Sequence, residues 1–255
     1  MIMQKAKGKN QKLENGFESS RALQELFHLY THLLIGGKEI CCPYWMNLLK
    51  RMVYGPYGGK GTPMQIISAT EEEARKEGLD LSKMNSDKIL SFMRRKKIGV
   101  DCSGFVFAML DVLDREKGGN GLADDIPNCR GKLLCRANVR MLTDEKVVVS
   151  VEKVNDIVVG DLIRLDGGKH VAVVIGITRE SGRVKEIEYA HSSKKTSLAR
   201  GVHSDKIMVI NPDLNLGAQT WLEKTAENEN YGQKYLLTAK RDGIKRGPYI
   251  SSPKG

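Results

Sequence analysis

The sequence predicts an α+β domain in which N-terminal helices pack on an antiparallel β-sheet. Through much of the first half of the chain, apolar residues recur at three- and four-residue steps, which is the spacing of amphipathic helices. After about residue 147 the apolar residues alternate with polar ones in short runs separated by Gly and Asp, a pattern typical of strands joined by turns. Helices that precede a series of strands indicate this fold class.

The predicted helices fall between residues 17 and 142. The first pattern covers 17–34, with Ser19 or Ser20 as the candidate N-cap and Gly36-Gly37 as the stop signal. Further helices are predicted at 44–54, at a charged segment opened by a capping box of Thr70 and Glu73, from 85 or 86 to 97, at 105–115 and at 133–142.

Strands are predicted at 147–151, 161–165, 170–177, 184–189, 207–210 and 234–239. The chain is therefore divided into three parts. Residues 1–38 form a flexible arm and an N-terminal helix, residues 39–240 form the main domain with a helical insertion at 64–98, and residues 241–255 form a basic tail.

The composition limits the classes of partner. Lys and Arg number 41 against 31 Asp and Glu, a net charge of +10 that favours an anionic polymer as a partner of the basic surface. Aromatic residues make up only 6% of the chain, too few to indicate a stacking platform for nucleic acid. No apolar run is long enough for a membrane span, and the N-terminus lacks the pattern of a signal peptide.

The five cysteines are an odd number, two of them adjacent, and this does not indicate a disulfide framework. No Cys/His spacing matches a structural zinc site, so neither a metal nor another cofactor is predicted. A protein of a reducing compartment, in which the cysteines stay free thiols, is the simpler interpretation of this cysteine pattern. We therefore expect a cytoplasmic protein, or one exported by a route without a visible signal peptide.

Cys102 is predicted to open a helix. Asp101 and Ser103 are good capping residues, and the apolar run that begins at Phe105 has helical spacing. The free N–H groups and the dipole at a helix N-terminus favour negative charge, so a thiol there is expected to be more acidic and more nucleophilic than usual. The same N–H groups would stabilise an oxyanion. On this segment alone, a buried cysteine that happens to begin a helix stays open as the alternative.

Two histidines frame a predicted hairpin. His170 begins the run HVAVVIGI, and His191 ends the next predicted strand, VKEIEYAHSS. They are roughly symmetric about the turn at Ser181-Gly182, so they are predicted to be cross-strand neighbours. This is the geometry that a general base and the group that orients it require.

Three segments together resemble the NlpC/P60 family of cysteine peptidases. DCSGFVFAML resembles the D-C-S-G-F/L block of that family, and GDLIRL with KHVAVVIG resembles its G-D-L segment and histidine strand. YAHSSKKTSLARGV resembles the third block, in which His, Asn or Gln completes the triad. The resemblance covers about residues 99–210 and keeps the family order. It implies that Cys102 is the nucleophile, His170 its base and His191 the residue that orients the base.

The resemblance also implies a papain-like NlpC/P60 fold for the catalytic domain and hydrolysis of an amide bond through a thioester, as in a thiol protease. The implied substrate is a peptide or muropeptide, typically a peptidoglycan stem peptide of the cell wall cleaved between D-Glu and the diamino acid. Asp101 and Ser103 would shape the substrate pocket. An upstream aromatic residue would join them: Tyr44 is the candidate and Tyr57 the alternative, although both lie farther from the nucleophile than is usual because segment 64–98 intervenes.

Other interpretations stay open. Cys102, His170 and His191 would also suit zinc with one open position. A CHAP-like amidase with a different substrate shares the cysteine and the histidine, and a non-catalytic basic binding module of the same fold is the alternative from another class. The segment GGKGT does not fit a phosphate-binding loop, because Gly follows its lysine. The other histidines, His28, His32 and His203, are expected to lie away from the site.

Overall fold

The computed structural model describes residues 16–47, 53, 55–122, 137–196 and 201–248. The predicted α+β class is confirmed, since helices pack on an antiparallel sheet. The helices are α1 (Arg21–Thr31), α2 (Pro63–Lys76), α3 (Ser86–Lys96), α4 (Cys102–Glu116), α5 (Val139–Leu142) and α6 (Tyr231–Tyr235). The strands are β1 (Gly16–Ser19), β2 (Leu33–Ile35), β3 (Lys38–Ile40), β4 (Val149–Val151), β5 (Leu162–Leu165), β6 (His170–Glu180), β7 (Arg183–Ser193), β8 (Gly201–Met208), β9 (Thr220–Trp221) and β10 (Gly243–Arg246).

One curled antiparallel sheet contains eight strands of the described chain. Its order is β4–β10–β5–β6–β7–β8–β9, and β1 pairs with the C-terminal half of β6. The long β6–β7 hairpin turns at Ser181 and Gly182 as predicted, and both residues have a positive φ, which matches the primed turns that tight hairpins favour. Strands β2 and β3 form a separate hairpin.

Several helix starts follow from local capping signals. Ser20 precedes α1, and its hydroxyl accepts the N–H of Leu23 at 3.1 Å. Asn85 precedes α3, and its side-chain oxygen accepts the N–H of Lys88 at 3.0 Å. Each side chain satisfies an N–H group that has no partner within the helix. Helices α2 and α3 make up most of segment 64–98, which is helical as predicted.

Helix α2 begins earlier than predicted. Thr62 is its N-cap and forms the capping box with Gln65, whose side chain accepts the Thr62 N–H at 3.0 Å. Thr70 lies inside the helix, where its hydroxyl donates to the Ile66 carbonyl at 2.7 Å. Pro63 at the first helical position favours the earlier start, because its fixed φ suits a helix and its missing N–H is not needed there.

The boundaries of two predicted helices are also wrong. The first helical pattern ends at Thr31, and the chain then forms the β2–β3 hairpin, whose turn uses the positive φ angles of Gly36 and Gly37. Residues 44–47, the start of the predicted helix 44–54, are not helical, while 48–52 and 54 lie outside the described residues. The N-terminal part of the predicted helix 133–142 also lies outside them; α5 is its described end.

The C-terminal part differs from the prediction in a way that extends the domain. The predicted strand 234–239 is the end of α6 followed by a 3₁₀ turn. Residues 243–246, assigned to the basic tail, form β10 and pair with both β4 and β5. The sheet therefore includes residues beyond 240.

Strand β6 is buried on both faces. Val171, Val173 and Ile175 pack in the cluster that includes the apolar side of α4, whereas Ala172 and Val174 belong to the cluster on the opposite face. This explains why the run HVAVVIGI is apolar without alternation. The start of β6 consequently lies where the helical layer meets the sheet. No helix in the described ranges is both long enough and apolar enough to cross a membrane.

Candidate active site

The turn before α4 places a cysteine at a helix N-terminus, as predicted. Cys102 is the first residue of α4 and is only 5% exposed. The Asp101 side chain caps the helix by accepting the N–H of Gly104 at 2.7 Å, and the Asp101 carbonyl accepts the N–H of Phe105 at 3.0 Å. The cap holds the cysteine backbone in one orientation.

A buried lysine supports this turn. Lys60 Nζ donates to both carboxylate oxygens of Asp101 at 2.5 Å and to the hydroxyl of Ser103 at 2.7 Å. Its segment also contacts the turn directly, because the carbonyl of Gly59 accepts the N–H of Asp101 at 2.8 Å. A Cβ atom at Gly104 would lie 2.5 Å from that same carbonyl oxygen, so the close approach requires glycine.

The sequence argument missed Lys60. Its only signal was a lysine within a Gly-rich turn, and 41 residues separate it from Asp101. Asp101 and Ser103, the predicted substrate-binding residues, are both buried; the Ser103 hydroxyl contacts Asp101 within this turn and the Ala137 carbonyl outside it, each at 3.0 Å. Their visible role is to hold the turn at Cys102; direct contact with a substrate stays a prediction.

His170 and His191 lie together, as the hairpin predicted. His170 Nε2 is 2.7 Å from His191 Nδ1, and the ring centroids are 5.0 Å apart. The strand register pairs Val173 with Ala190, so the two histidines are diagonal rather than directly opposite. Diagonal residues two positions out of register share one face of a sheet, which brings the long side chains into contact.

The helix start and the sheet rim meet at the sulfur. The backbone N–H of Val171, the residue after His170, lies near the sulfur and acts to lower the pKa of the Cys102 thiol. Ser192, the residue after His191, donates its hydroxyl to the Val100 carbonyl at 2.7 Å. The turn at Cys102 is therefore tied to both histidine strands.

Burial dominates the electrostatics of the two candidate reacting groups. It raises the pKa of the Cys102 thiol to about 12, and the Asp101 charge adds to this rise, against the opposing effects of Lys60 and two backbone N–H groups. The expectation of a more acidic thiol is therefore wrong, because burial outweighs the helix N-terminus. Burial also lowers the pKa of His170 well below 6.5. At neutral pH the resting pair is a neutral thiol and a neutral imidazole.

Two further residues join the histidine pair. His203 lies directly opposite His191 in the β7–β8 register, and their Nε2 atoms are 2.9 Å apart. The expectation that His203 lies away from the site is therefore wrong, since β8 begins at Gly201 and runs back beside His191. Glu223, just after β9, places Oε1 3.1 Å from Nε2 of each histidine. No local sequence signal pointed to Glu223.

The remaining candidate residues lie at different distances from this centre. Tyr44 forms an isolated β-bridge with Val100, two residues before Cys102, and burial together with the charges of Cys102 and Asp101 raises the pKa of its hydroxyl. Tyr57 instead directs its hydroxyl to Glu73 of α2 at 3.4 Å. His28 and His32 stack on each other at the end of α1, with ring centroids 4.1 Å apart.

Another buried tyrosine encloses the histidine pair. The Tyr231 ring packs edge-on against His170 and His191, with centroid separations of 6.4 and 5.5 Å. It is 1% exposed, and the neighbouring Cys102 contributes to its raised pKa, after burial and Glu223.

The residues with metal-ligand geometry are not those weighed from the sequence. In the described part of the chain, ligand atoms of His191, His203 and Glu223 lie within 4.8 Å of one another. Cys102 and His170 are not members of that group. The zinc site considered from the sequence thus has no counterpart among the groups found in the described residues.

Comparison with known proteins adds no identification. No family model, no curated protein and no solved structure matches this chain. The functional conclusion therefore depends on the residues of the site itself.

Proposed function

We propose that the protein is a cysteine hydrolase of the NlpC/P60 type, with a papain-like fold, that cleaves amide bonds. The observation that carries the proposal is the 2.7 Å contact between His170 and His191 at the strand start that abuts Cys102. A nucleophile close to a base that contacts an orienting group is the arrangement that covalent catalysis needs.

The neutral resting pair indicates how the proton moves. As the Cys102 sulfur attacks the carbonyl carbon, His170 accepts the thiol proton, because burial keeps the free thiolate unfavourable. The C–N bond then breaks, and His170 returns the proton to the leaving amine. Water, deprotonated by His170, attacks the thioester and releases the carboxylic acid and the thiol. His191 accepts a hydrogen bond from His170 Nε2 throughout and maintains the ring orientation.

The proposed substrate is a peptidoglycan stem peptide, cut between D-Glu and the diamino acid. The net charge of +10 suits an acidic cell-wall polymer. Tyr44, which forms a β-bridge with Val100 two residues before Cys102, is proposed to contact the peptide. The three sequence segments that resemble the NlpC/P60 blocks support this substrate over a general protein substrate.

Incubation of the purified protein with defined muropeptides, read by mass spectrometry, tests the proposal. The expected products are the two fragments of D-Glu–diamino acid cleavage. Cys102→Ala and His170→Ala should each remove the activity, the latter by about 10²–10⁴-fold because proton transfer is lost. His191→Asn should retain more activity than His191→Ala, since the amide oxygen still accepts a hydrogen bond.

Cys41→Ala is the matched control. Cys41 is half-buried, and its thiol contacts the Val202 carbonyl at 3.1 Å rather than the histidine pair, so activity should be unchanged. Binding of the muropeptide without any cleavage would favour the basic binding module. Cleavage at another amide bond would favour a CHAP-like amidase. An equal loss of hydrolytic activity in Cys41→Ala and Cys102→Ala would contradict the assignment of Cys102 as the nucleophile.

A further inference from the structure

A buried carboxylate lies behind the histidine pair. The Glu223 side chain has no exposed surface, and it accepts hydrogen bonds from the Tyr189 hydroxyl and from Nε2 of His191. Burial alone would raise the pKa of Glu223, but the charges and hydrogen bonds of His191 and His203 outweigh it and hold the pKa well below its usual range. Glu223 is thus an ionised group enclosed with three hydrogen-bond partners.

The proton on His203 is determined by a backbone carbonyl. His203 Nδ1 lies 3.0 Å from the Gly201 carbonyl oxygen, which can only accept a hydrogen bond. Nδ1 therefore carries a proton.

The proton on His191 follows from its contact with Glu223. His191 Nε2 is 3.1 Å from Oε1 of Glu223, a carboxylate oxygen that can only accept a hydrogen bond. Nε2 of His191 must therefore carry the proton, which leaves its Nδ1 as an acceptor. The 2.7 Å contact then requires that His170 donates from Nε2. The unprotonated nitrogen of His170 is Nδ1.

We infer that Glu223 is a positioning residue that selects the tautomer of both histidines and so keeps His170 competent as a base. The inference rests on the proposed function. Hydrogen bonds lead from His170 through His191 to Glu223, so the pair behaves as a histidine backed by a carboxylate. The negative charge of Glu223 also stabilises the positive charge that His170 acquires when it takes the thiol proton.

Histidine tautomers can be measured without a substrate. Long-range ¹H–¹⁵N NMR correlation at neutral pH should show the proton on Nε2 of His170 and His191 and on Nδ1 of His203. A proton on Nδ1 of His191 would overturn the inference. So would one equivalent of a transition metal retained on His191, His203 and Glu223, because the metal would take the Nε2 lone pair that the inference assigns to a proton.

Kinetics with two variants distinguish a positioning role from packing. Glu223→Gln keeps the shape and loses the charge, whereas Glu223→Asp keeps the charge and shortens the side chain. On muropeptide substrate, Glu223→Gln should lower kcat by at least about 10-fold with KM little changed. Glu223→Asp should retain more of kcat than Glu223→Gln. The reverse order would show that Glu223 only fills space.

The matched control is Glu227→Gln, in the same segment but with a side chain 65% exposed, which should leave kcat unchanged. If the wild-type protein cleaves no muropeptide, the proposed function fails. The NMR tautomers would still decide whether Glu223 orders the two histidines.

Discussion

Removal of Lys60 should destabilise the fold by leaving a carboxylate buried without its cation. The Lys60 side chain is 10% exposed and that of Asp101 is 6% exposed, and the contacts are 2.5 Å long. Loss of one partner from a buried ion pair costs about 3–5 kcal/mol, because the remaining charge stays out of water. Lys60→Met should therefore lower the free energy of unfolding by about that amount. For a chain of this size the midpoint would fall by roughly 6–20 °C.

Thermal and urea unfolding of four variants measure the effect: Lys60→Met, Asp101→Asn, the double variant of the two, and a control. The matched control is Lys76→Met, because the Lys76 side chain is 57% exposed and its ion pairs with Glu72 and Glu73 should contribute only about 0–1 kcal/mol. The double variant Lys60→Met/Asp101→Asn removes the stranded charge while keeping an oxygen that can cap α4. It should be more stable than Lys60→Met alone, which gives a non-additive double-mutant cycle.

Two results would refute this reasoning. The first is a Lys60→Met variant that unfolds at the same midpoint as Lys76→Met, which would mean that the pair is solvated. The second is a double variant whose loss of unfolding free energy equals the sum of the losses in the two single variants, which would mean that Lys60 and Asp101 stabilise the fold independently.

Two other predictions concern pH and close packing. Burial lowers the pKa of both His170 and His191, so the unfolded chain binds protons below about pH 6.5 that the folded chain does not. The free energy of unfolding should therefore fall as the pH drops from 6.5, by up to about 1.4 kcal/mol per pH unit for each histidine. Urea unfolding between pH 7.5 and 5 measures this change. A free energy of unfolding that does not vary over this range would contradict the prediction. Gly104→Ala should lower the free energy of unfolding by about 1–3 kcal/mol, because the new Cβ atom would lie 2.5 Å from the Gly59 carbonyl oxygen. The control Gly16→Ala should change it little, because no atom lies within 4 Å of the added Cβ. Equal unfolding midpoints for the two variants would disprove the contact.

Short-range signals were sufficient for much of the fold. Side-chain caps at Ser20, Asn85 and Asp101 start α1, α3 and α4, and each acts on an N–H group three residues away. Such contacts can be predicted because both partners lie in one short segment. Where two local signals competed, as for the start of α2, prediction failed, since Thr62 and Thr70 each offered a capping pattern and Pro63 favoured the first.

The candidate site was only partly predictable for the same reason. Cys102 at a helix start follows from its neighbours, and the His170–His191 contact follows from one hairpin with a tight turn. His203 required the start and register of the next strand, which was predicted to begin only at 207 but begins at Gly201.

The amino-acid sequence by itself thus determined the α+β class, the helix start at the cysteine and the contact between two histidines, because each depends on residues close along the chain. Only the tertiary structure placed Lys60 against Asp101, 41 residues away, and Glu223 against His191, 32 residues away. It also decided the raised pKa of the Cys102 thiol. Burial is a sum over every group that excludes water from the sulfur, and those groups come together only when the helices close on the sheet.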